Sequence, residues 1–319
     1  SFALYNNTEG DGNVANGSSA LSNNITGNEN TATGYRALYN NTASWNTATG
    51  FEALKMNTTG YSNVANGWSA LGLNETGIQN VANGVSALYN NLTGFSNVAN
   101  GTEVLFSNTE GSGNVANGFQ ALYSTTTVGR LTATGYKSLY SNTDGEFNTA
   151  TGYESLFTNT SGSQNTANGY QALIFNTLGN NNTATGYRAL FNNTTGASNT
   201  AIGHEVLFSN NGTSNTAIGY TALHNNTDGD VNTAVGIRAL FDNTEGFSNT
   251  ANGAGALQSN TIGYHNTAIG HQALNSISEG NENTAIGSFA LAGSISGSNN
   301  IAIGYNVSMS NGNVSNQVT

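Results

Sequence analysis

The chain has 319 residues, with 41 Gly, no Pro, no Cys, only 7% charged residues and a net charge of −11. Its six Lys and Arg are scattered singly, which argues against a nucleic-acid or anionic-membrane partner; no apolar run is long enough to span a bilayer, and no disulfide framework exists. So polar a chain would read as disordered, were its hydrophobic residues, 36% of the total, not placed at fixed intervals.

Those intervals define a repeat, which has to be found before local structure is read. An Asn opens an N-[TV]-A-x-G block at Asn13, Asn30, Asn46, Asn63, Asn80, Asn97, Asn114, Asn148, Asn165, Asn182, Asn199, Asn215, Asn232, Asn249, Asn266, Asn283 and Asn300, and Leu131 takes its place once. Of the 17 intervals between these landmarks, fifteen are 17 residues long and two are 16, from Asn30 to Asn46 and from Asn199 to Asn215. Counted from the opening Asn as position 1, the unit reads N-[TV]-A-x-G-Y-x-A-L-Y-x-N-T-x-G-x-x. A unit this short excludes helix–turn–helix and leucine-rich arrays and suits an all-β parallel β-solenoid, one coil per repeat.

The elements follow in chain order within each coil. Positions 1–4 predict a short strand, which ends at a glycine corner at position 5. Positions 7–11 predict a second strand, although Tyr35, Leu38 and Tyr39 also stand at the i, i+3, i+4 spacing of a helical or 3₁₀ turn. The N-T-x-G stretch at positions 12–15 turns the chain back, because Asn and Gly tolerate left-handed geometry. Identical side chains then form ladders at about 4.8 Å, and roughly 17 coils give a length on the order of 80 Å.

Three columns carry the core. Position 3 is Ala in every block, as at Ala268, which implies a site too narrow for anything larger. Position 5 is Gly in every block, as at Gly270, which implies close backbone approach or positive φ. Position 9 is Leu from Leu4 to Leu291, Leu156 and Leu173 among them, and fails only at Ser308. The solenoid pattern runs through 1–299, and 300–319 reads as a last, degenerate coil leading to an absent C-terminal region.

The outward positions differ in chemistry. Position 7 carries Arg36, Glu52, Glu103, Lys137, Glu154, Arg188, Glu205 and Arg238, so it faces water. The 36 sites at positions 2 and 4 hold no charge, whereas two or three would be expected from 23 charged residues in 319. This marks the 2/4 face, with Ile269, Ile286 and Ile303, as a candidate inter-chain surface shielded by further copies of the chain. The aromatic column Tyr136, Tyr153, Tyr170 and Tyr187 reads as a structural ladder that could also stack sugars, so surface glycans are a second class of partner.

No catalytic residue, cofactor site or metal site is expected. His204, His224, His265 and His271 sit where other coils carry aromatic or polar turn residues, and they read as substituted ladder positions. The acidic stretches Glu9-Gly10-Asp11-Gly12 and Thr227-Asp228-Gly229-Asp230 read as solvated turns. Asn57-Thr58-Thr59 and Asn91-Leu92-Thr93 are formal glycosylation sequons, but Asn-Thr is equally what the turn needs. A rival of another class, an ice-binding solenoid, rests on Thr-Ala-Thr at Thr31/Thr33, Thr47/Thr49, Thr132/Thr134, Thr149/Thr151 and Thr183/Thr185, interrupted by Val-Ala-Asn from Asn63 through Asn117.

The block Asn266-Thr267-Ala268-Ile269-Gly270-His271-Gln272-Ala273 resembles the S-V-A-I-G-x-x-A repeat of YadA-like trimeric adhesin heads. That resemblance implies a left-handed parallel β-roll with three chains side by side, here with a unit about three residues longer in its turn. The run Asn300-Ile301-Ala302-Ile303-Gly304-Tyr305-Asn306, closing with Ser315-Asn316-Gln317-Val318-Thr319, resembles the segment that leads into the C-terminal trimerising chaperone domain of tail-fibre-type proteins. The expectation is a non-enzymatic, extracellular fibre or adhesin, assembled as a homotrimer or an end-to-end filament, with a phage tail-fibre shaft as an alternative carrier. Both chain ends read as cuts through the pattern, because neither Ser1-Phe2-Ala3-Leu4-Tyr5 nor Val307-Ser308-Met309-Ser310 looks like a polar cap.

Overall fold

A computed structural model of the chain describes residues 2–293, 296–308, 315, 316 and 318. The chain forms two compact units, Ser1–Gly162 and Ser163–Thr319. Among the described residues of the first unit the strands are β1 (Val14–Asn16), β2 (Thr31–Thr33), β3 (Thr47–Thr49), β4 (Val64–Asn66), β5 (Val81–Asn83), β6 (Val98–Asn100), β7 (Val115–Asn117), β8 (Thr132–Thr134) and β9 (Thr149–Thr151). In the second they are β10 (Thr166–Asn168), β11 (Thr183–Thr185), β12 (Thr200–His204), β13 (Thr216–Tyr220), β14 (Thr233–Val235), β15 (Thr250–Asn252), β16 (Thr267–Ile269), β17 (Thr284–Ile286) and β18 (Ile301–Ile303).

Each unit is a parallel β-solenoid with one coil per repeat. Within a unit every strand pairs with the next in parallel, always position for position: Ala15 with Ala32, Ala268 with Ala285, Ile269 with Ile286. No helix long and apolar enough to cross a membrane is present among the described residues. Of the degenerate coil expected over 300–319, residues 309–314, 317 and 319 lie outside the described residues.

The strand begins one residue later than expected, at position 2, and its alternation is as expected. From Ala32 onward the position 3 alanine is fully buried, while positions 2 and 4 point outward. The glycine corner is forced twice over. Gly270 has φ +134, and a Cβ there would lie 2.6 Å from the backbone of Gly287 in the next coil. The leucines from Leu21 to Leu274, Leu156 and Leu173 included, are fully buried, each contributing about 1.5–3 kcal/mol by burial. They share the interior with the small residues of position 8, such as Ala37, Ala53 and Val104.

Positions 7–11 are neither of the two conformations that the sequence left open. Instead of a second strand or a helical turn, the chain makes a run of tight turns with left-handed residues at positions 7 and 9. Arg36 has φ 53 and Leu38 φ 52, and the same alternation recurs coil after coil. The Ala37 amide closes back on the Gly34 carbonyl at 3.4 Å and the Asn41 amide on Leu38 at 3.2 Å. Three further amides reach neighbouring coils: Arg36 N donates to Ser18 O at 3.0 Å, Leu38 N to Ala53 O at 3.0 Å and Asn40 N to Lys55 O at 3.1 Å. The arc is thus hydrogen-bonded along the stack without being extended. A leucine with positive φ is uncommon and costs backbone energy, which the buried side chain and its inter-coil bond must offset. β-Branched residues tolerate that region worst, which explains why the column holds Leu and never Ile or Val.

Both 16-residue coils absorb their deletion in the turn. Thr31 still pairs with Thr47, and Thr200 with Thr216. Leu156→Asp should cost several kcal/mol, since it buries an unpaired charge, while Glu154→Ala two residues earlier should change stability by less than about 1 kcal/mol. Leu156→Ile, a swap that ordinarily costs less than about 1.5 kcal/mol, should cost more than that here because of its left-handed backbone. Thermal melting of the three variants checks the order.

Candidate functional site

The candidate functional surfaces of this fold are its columns. Their positioning depends on a polar feature inside the coil. In the coil that opens at Asn46, Asn46 Nδ2 donates to the Gly60 carbonyl at 2.9 Å, and Asn57 Nδ2 donates to that same carbonyl at 2.7 Å. Asn57 Nδ2 spends its second hydrogen on Asn41 Oδ1 of the preceding coil at 2.7 Å, and Asn74 Nδ2 reaches Asn57 Oδ1 at 2.6 Å. Asn63 N in turn donates to Asn46 Oδ1 at 3.0 Å. The second unit repeats the scheme with Asn182, Asn193 and Gly196, at 2.8 and 3.0 Å. Positions 1 and 12 are therefore two fully buried amide ladders that converge on one carbonyl per coil.

Sequence reasoning took the position 12 asparagines for turn formers and sequons, and those of position 1 for the first residue of a strand. Asn57 and Asn91 are fully buried and their amide nitrogens are bonded, so neither is open to a glycan in the folded chain. A signal was available: position 12 loses its Asn at Thr125, Ile277 and Ser294, and the coil after Thr125 is the one that opens with Leu131 in place of Asn. The structure shows the consequence. Asn108 Oδ1 is buried without a partner because Thr125 has no amide to offer, and Thr125 Oγ1 turns to the Asn142 carbonyl at 3.1 Å. Asn260 Oδ1 is orphaned in the same way by Ile277.

Outside, position 7 is half-buried rather than fully solvated. Its cations lie across rings from positions 6 and 10. Arg36 Cζ is 5.1 Å from the Tyr35 centroid and 5.5 Å from that of Tyr39; Lys137 Nζ is 5.4 Å from Tyr136 and 5.3 Å from Tyr140. The spacing of Tyr35 and Tyr39, which resembled a helical signal, is that of a turn that brings both rings to one cation. Arg36 also pairs with Glu52 at 3.6 Å, and Lys55 with Glu52 at 3.0 Å.

The rings themselves stack coil on coil. Tyr136 lies between Phe119 at 5.5 Å and Tyr153 at 4.9 Å, and Tyr187 between Tyr170 at 5.4 Å and His204 at 4.8 Å, all nearly parallel. Both faces of Tyr136 and Tyr187 thus lie against neighbouring rings. In the position 10 column, partial burial raises the Tyr123 hydroxyl pKa above its ordinary value, with Glu103 and Tyr140 adding to the effect.

The histidines stand as ladder members. His204 stacks on Tyr187 and Tyr220, and His224 on Phe208 and Phe241; His265 and His271 meet neighbouring rings edge-on. Glu205 Oε2 lies 3.9 Å from both His204 Nδ1 and His224 Nε2. In the acidic turns, Asp230 Oδ1 accepts from Thr213 Oγ1 at 3.0 Å and Asp11 Oδ1 from Gly12 N at 2.8 Å.

The 2/4 face changes character between the units. In the first, Asn66, Asn83, Asn100 and Asn117 form an outward amide ladder with each Nδ2 bonded 2.8 Å to the next Oδ1. In the second, Ile202, Ile218, Val235, Asn252, Ile269, Ile286 and Ile303 follow one another in register, with Ile269 40% and Ile303 62% exposed. The Thr-Ala-Thr pairs share this face, but matching coils never exceed two in succession. No family model matches the chain, and no curated protein matches it.

Thr125→Asn should add about 1 kcal/mol by giving Asn108 Oδ1 its donor, whereas Asn57→Ala should cost about 1–3 kcal/mol for each buried group left unpaired. Denaturant titration of both, with exposed Thr58→Ala as reference, measures the difference.

Proposed function

We propose that the chain is a non-enzymatic structural element of an extracellular fibre, in which copies of the chain associate through the uncharged 2/4 face. The observation that carries this reading is the outward apolar column of the second unit. Ile202, Ile218, Ile269, Ile286 and Ile303 are all exposed in the single chain, aligned in register, and not one charged residue interrupts the face. Exposed, contiguous apolar surface on a soluble chain marks an interaction site. A straight column suits a second copy in particular, because identical ladders can lie against one another along their whole length. A homotrimer in the manner of adhesin heads accords with the N-T-A-I-G-x-x-A blocks of this region. The remaining surface supports a mechanical role: rings, cations and amides are spent on neighbouring coils, which stiffens a stack and leaves few groups for chemistry.

Light scattering of the purified chain tests association directly, with a mass of three chains expected. Ile269→Lys together with Ile286→Lys should split that assembly or prevent it, since lysines in a shared apolar face are buried without partners. A monodisperse monomer at high concentration would falsify the self-association and leave a lone solenoid. Negative-stain images over a concentration series separate discrete particles from filaments that lengthen.

A further inference from the structure

Where the two internal amide ladders break in successive coils, at Thr125 and Leu131, the first unit also carries a notch on its surface. The cleft, of about 370 Å³, is lined by Phe95, Glu110, Ser112, Gly113, Thr127, Gly129, Arg130 and Glu146. Its origin is legible in the repeat. Along the position 16 column the residues are Phe95, Ser112, Gly129 and Glu146, so two small residues separate an aromatic ring from a carboxylate over three coil steps, about 14 Å. Glu110 and Thr127 from position 14 border one side, and Gly113 and Arg130 from position 17 the other. The floor is fixed by packing: a side chain at Gly129 would run into the Ser112 backbone, whereas at Gly113 there is nothing within 4 Å. Arg130 is held at the wall with its Cζ 5.2 Å over the Phe147 ring.

Phe95 differs from the rings of the stacked columns. Ile78 and Ser112 occupy its place in the adjoining coils, so no ring lies parallel to it, and it is 53% exposed. An apolar ring that shares a cleft with two carboxylates and a guanidinium offers the mix of apolar face, acceptors and donor that a pyranose fits. The C–H face of the sugar lies on the ring, its hydroxyls donate to Glu110 and Glu146, and Arg130 donates to a sugar oxygen. The volume falls at the lower end of the range for small-molecule sites. We propose that this notch is a saccharide-binding site that takes one pyranose ring. The inference is independent of the proposed fibre, because every residue of the site belongs to the first unit and binding is read whatever the association state.

Saturation-transfer NMR on the full chain with methyl pyranosides of glucose, galactose, mannose and N-acetylglucosamine, each alone, tests it. At least one should show transfer. Phe95→Ala should weaken that sugar by roughly tenfold or more, equivalent to about 1.4 kcal/mol. Tyr61→Ala, an exposed ring of the same column outside the notch, should leave it unchanged. Gly113→Gln guards against a folding artefact, since Gln79 and Gln164 already occupy position 17 with φ 57 and 60. It should fill the notch and abolish transfer without lowering the melting temperature. Absence of transfer from all four sugars overturns the proposal, as does transfer that persists undiminished in Gly113→Gln.

Discussion

Two asparagine amides that donate to one carbonyl close the regular coil, and the columns outside it depend on that closure. In the coil that opens at Asn46 the Gly60 carbonyl uses both lone pairs, the Asn57 amide uses both hydrogens, and its oxygen receives the neighbouring coil. A thin stack with leucine and alanine as its apolar core gains little from burial alone. Satisfied hydrogen bonds in a water-excluded interior supply geometry that the small core cannot, and a half-satisfied ladder would be worse than none. The ladder also fixes where the outward columns stand. Because Asn63 bonds to Asn46 and Asn74 to Asn57, rings, cations and strand residues fall in register without needing specific partners of their own.

The period, the alanine, glycine and leucine columns, the outward 2/4 face and the ring ladder were all legible in the sequence, because each is a column of one residue type whose size or conformational freedom has a single reading. The arc from position 6 to position 11 was not. Left-handed backbone is ordinarily signalled by Gly or Asn, and here it falls on Leu38, Arg36 and their equivalents, residues that give no such signal. The buried amides were misread for a related reason. Asn in a turn-rich repeat carries two meanings, and composition favours the exposed one. The losses of Asn at Thr125 and Leu131, in successive coils, pointed to the interior. The notch beside that coil was invisible in sequence because it is made by what Ser112, Gly113 and Gly129 lack.

The two orphaned amide oxygens mark where the stack is least tightly joined. Each coil touches only the coils before and after it, so a unit behaves as a one-dimensional chain of interfaces, and its resistance to opening is set by the weakest of them. Asn108 Oδ1 and Asn260 Oδ1 mark one such interface in each unit, with Thr125 and Ile277 on the far side. Under tension along the stacking direction, these junctions should yield before their fully laddered neighbours. The remaining coils stay wound on either side, so extension is taken up by parting at a predetermined seam instead of by unravelling from an end.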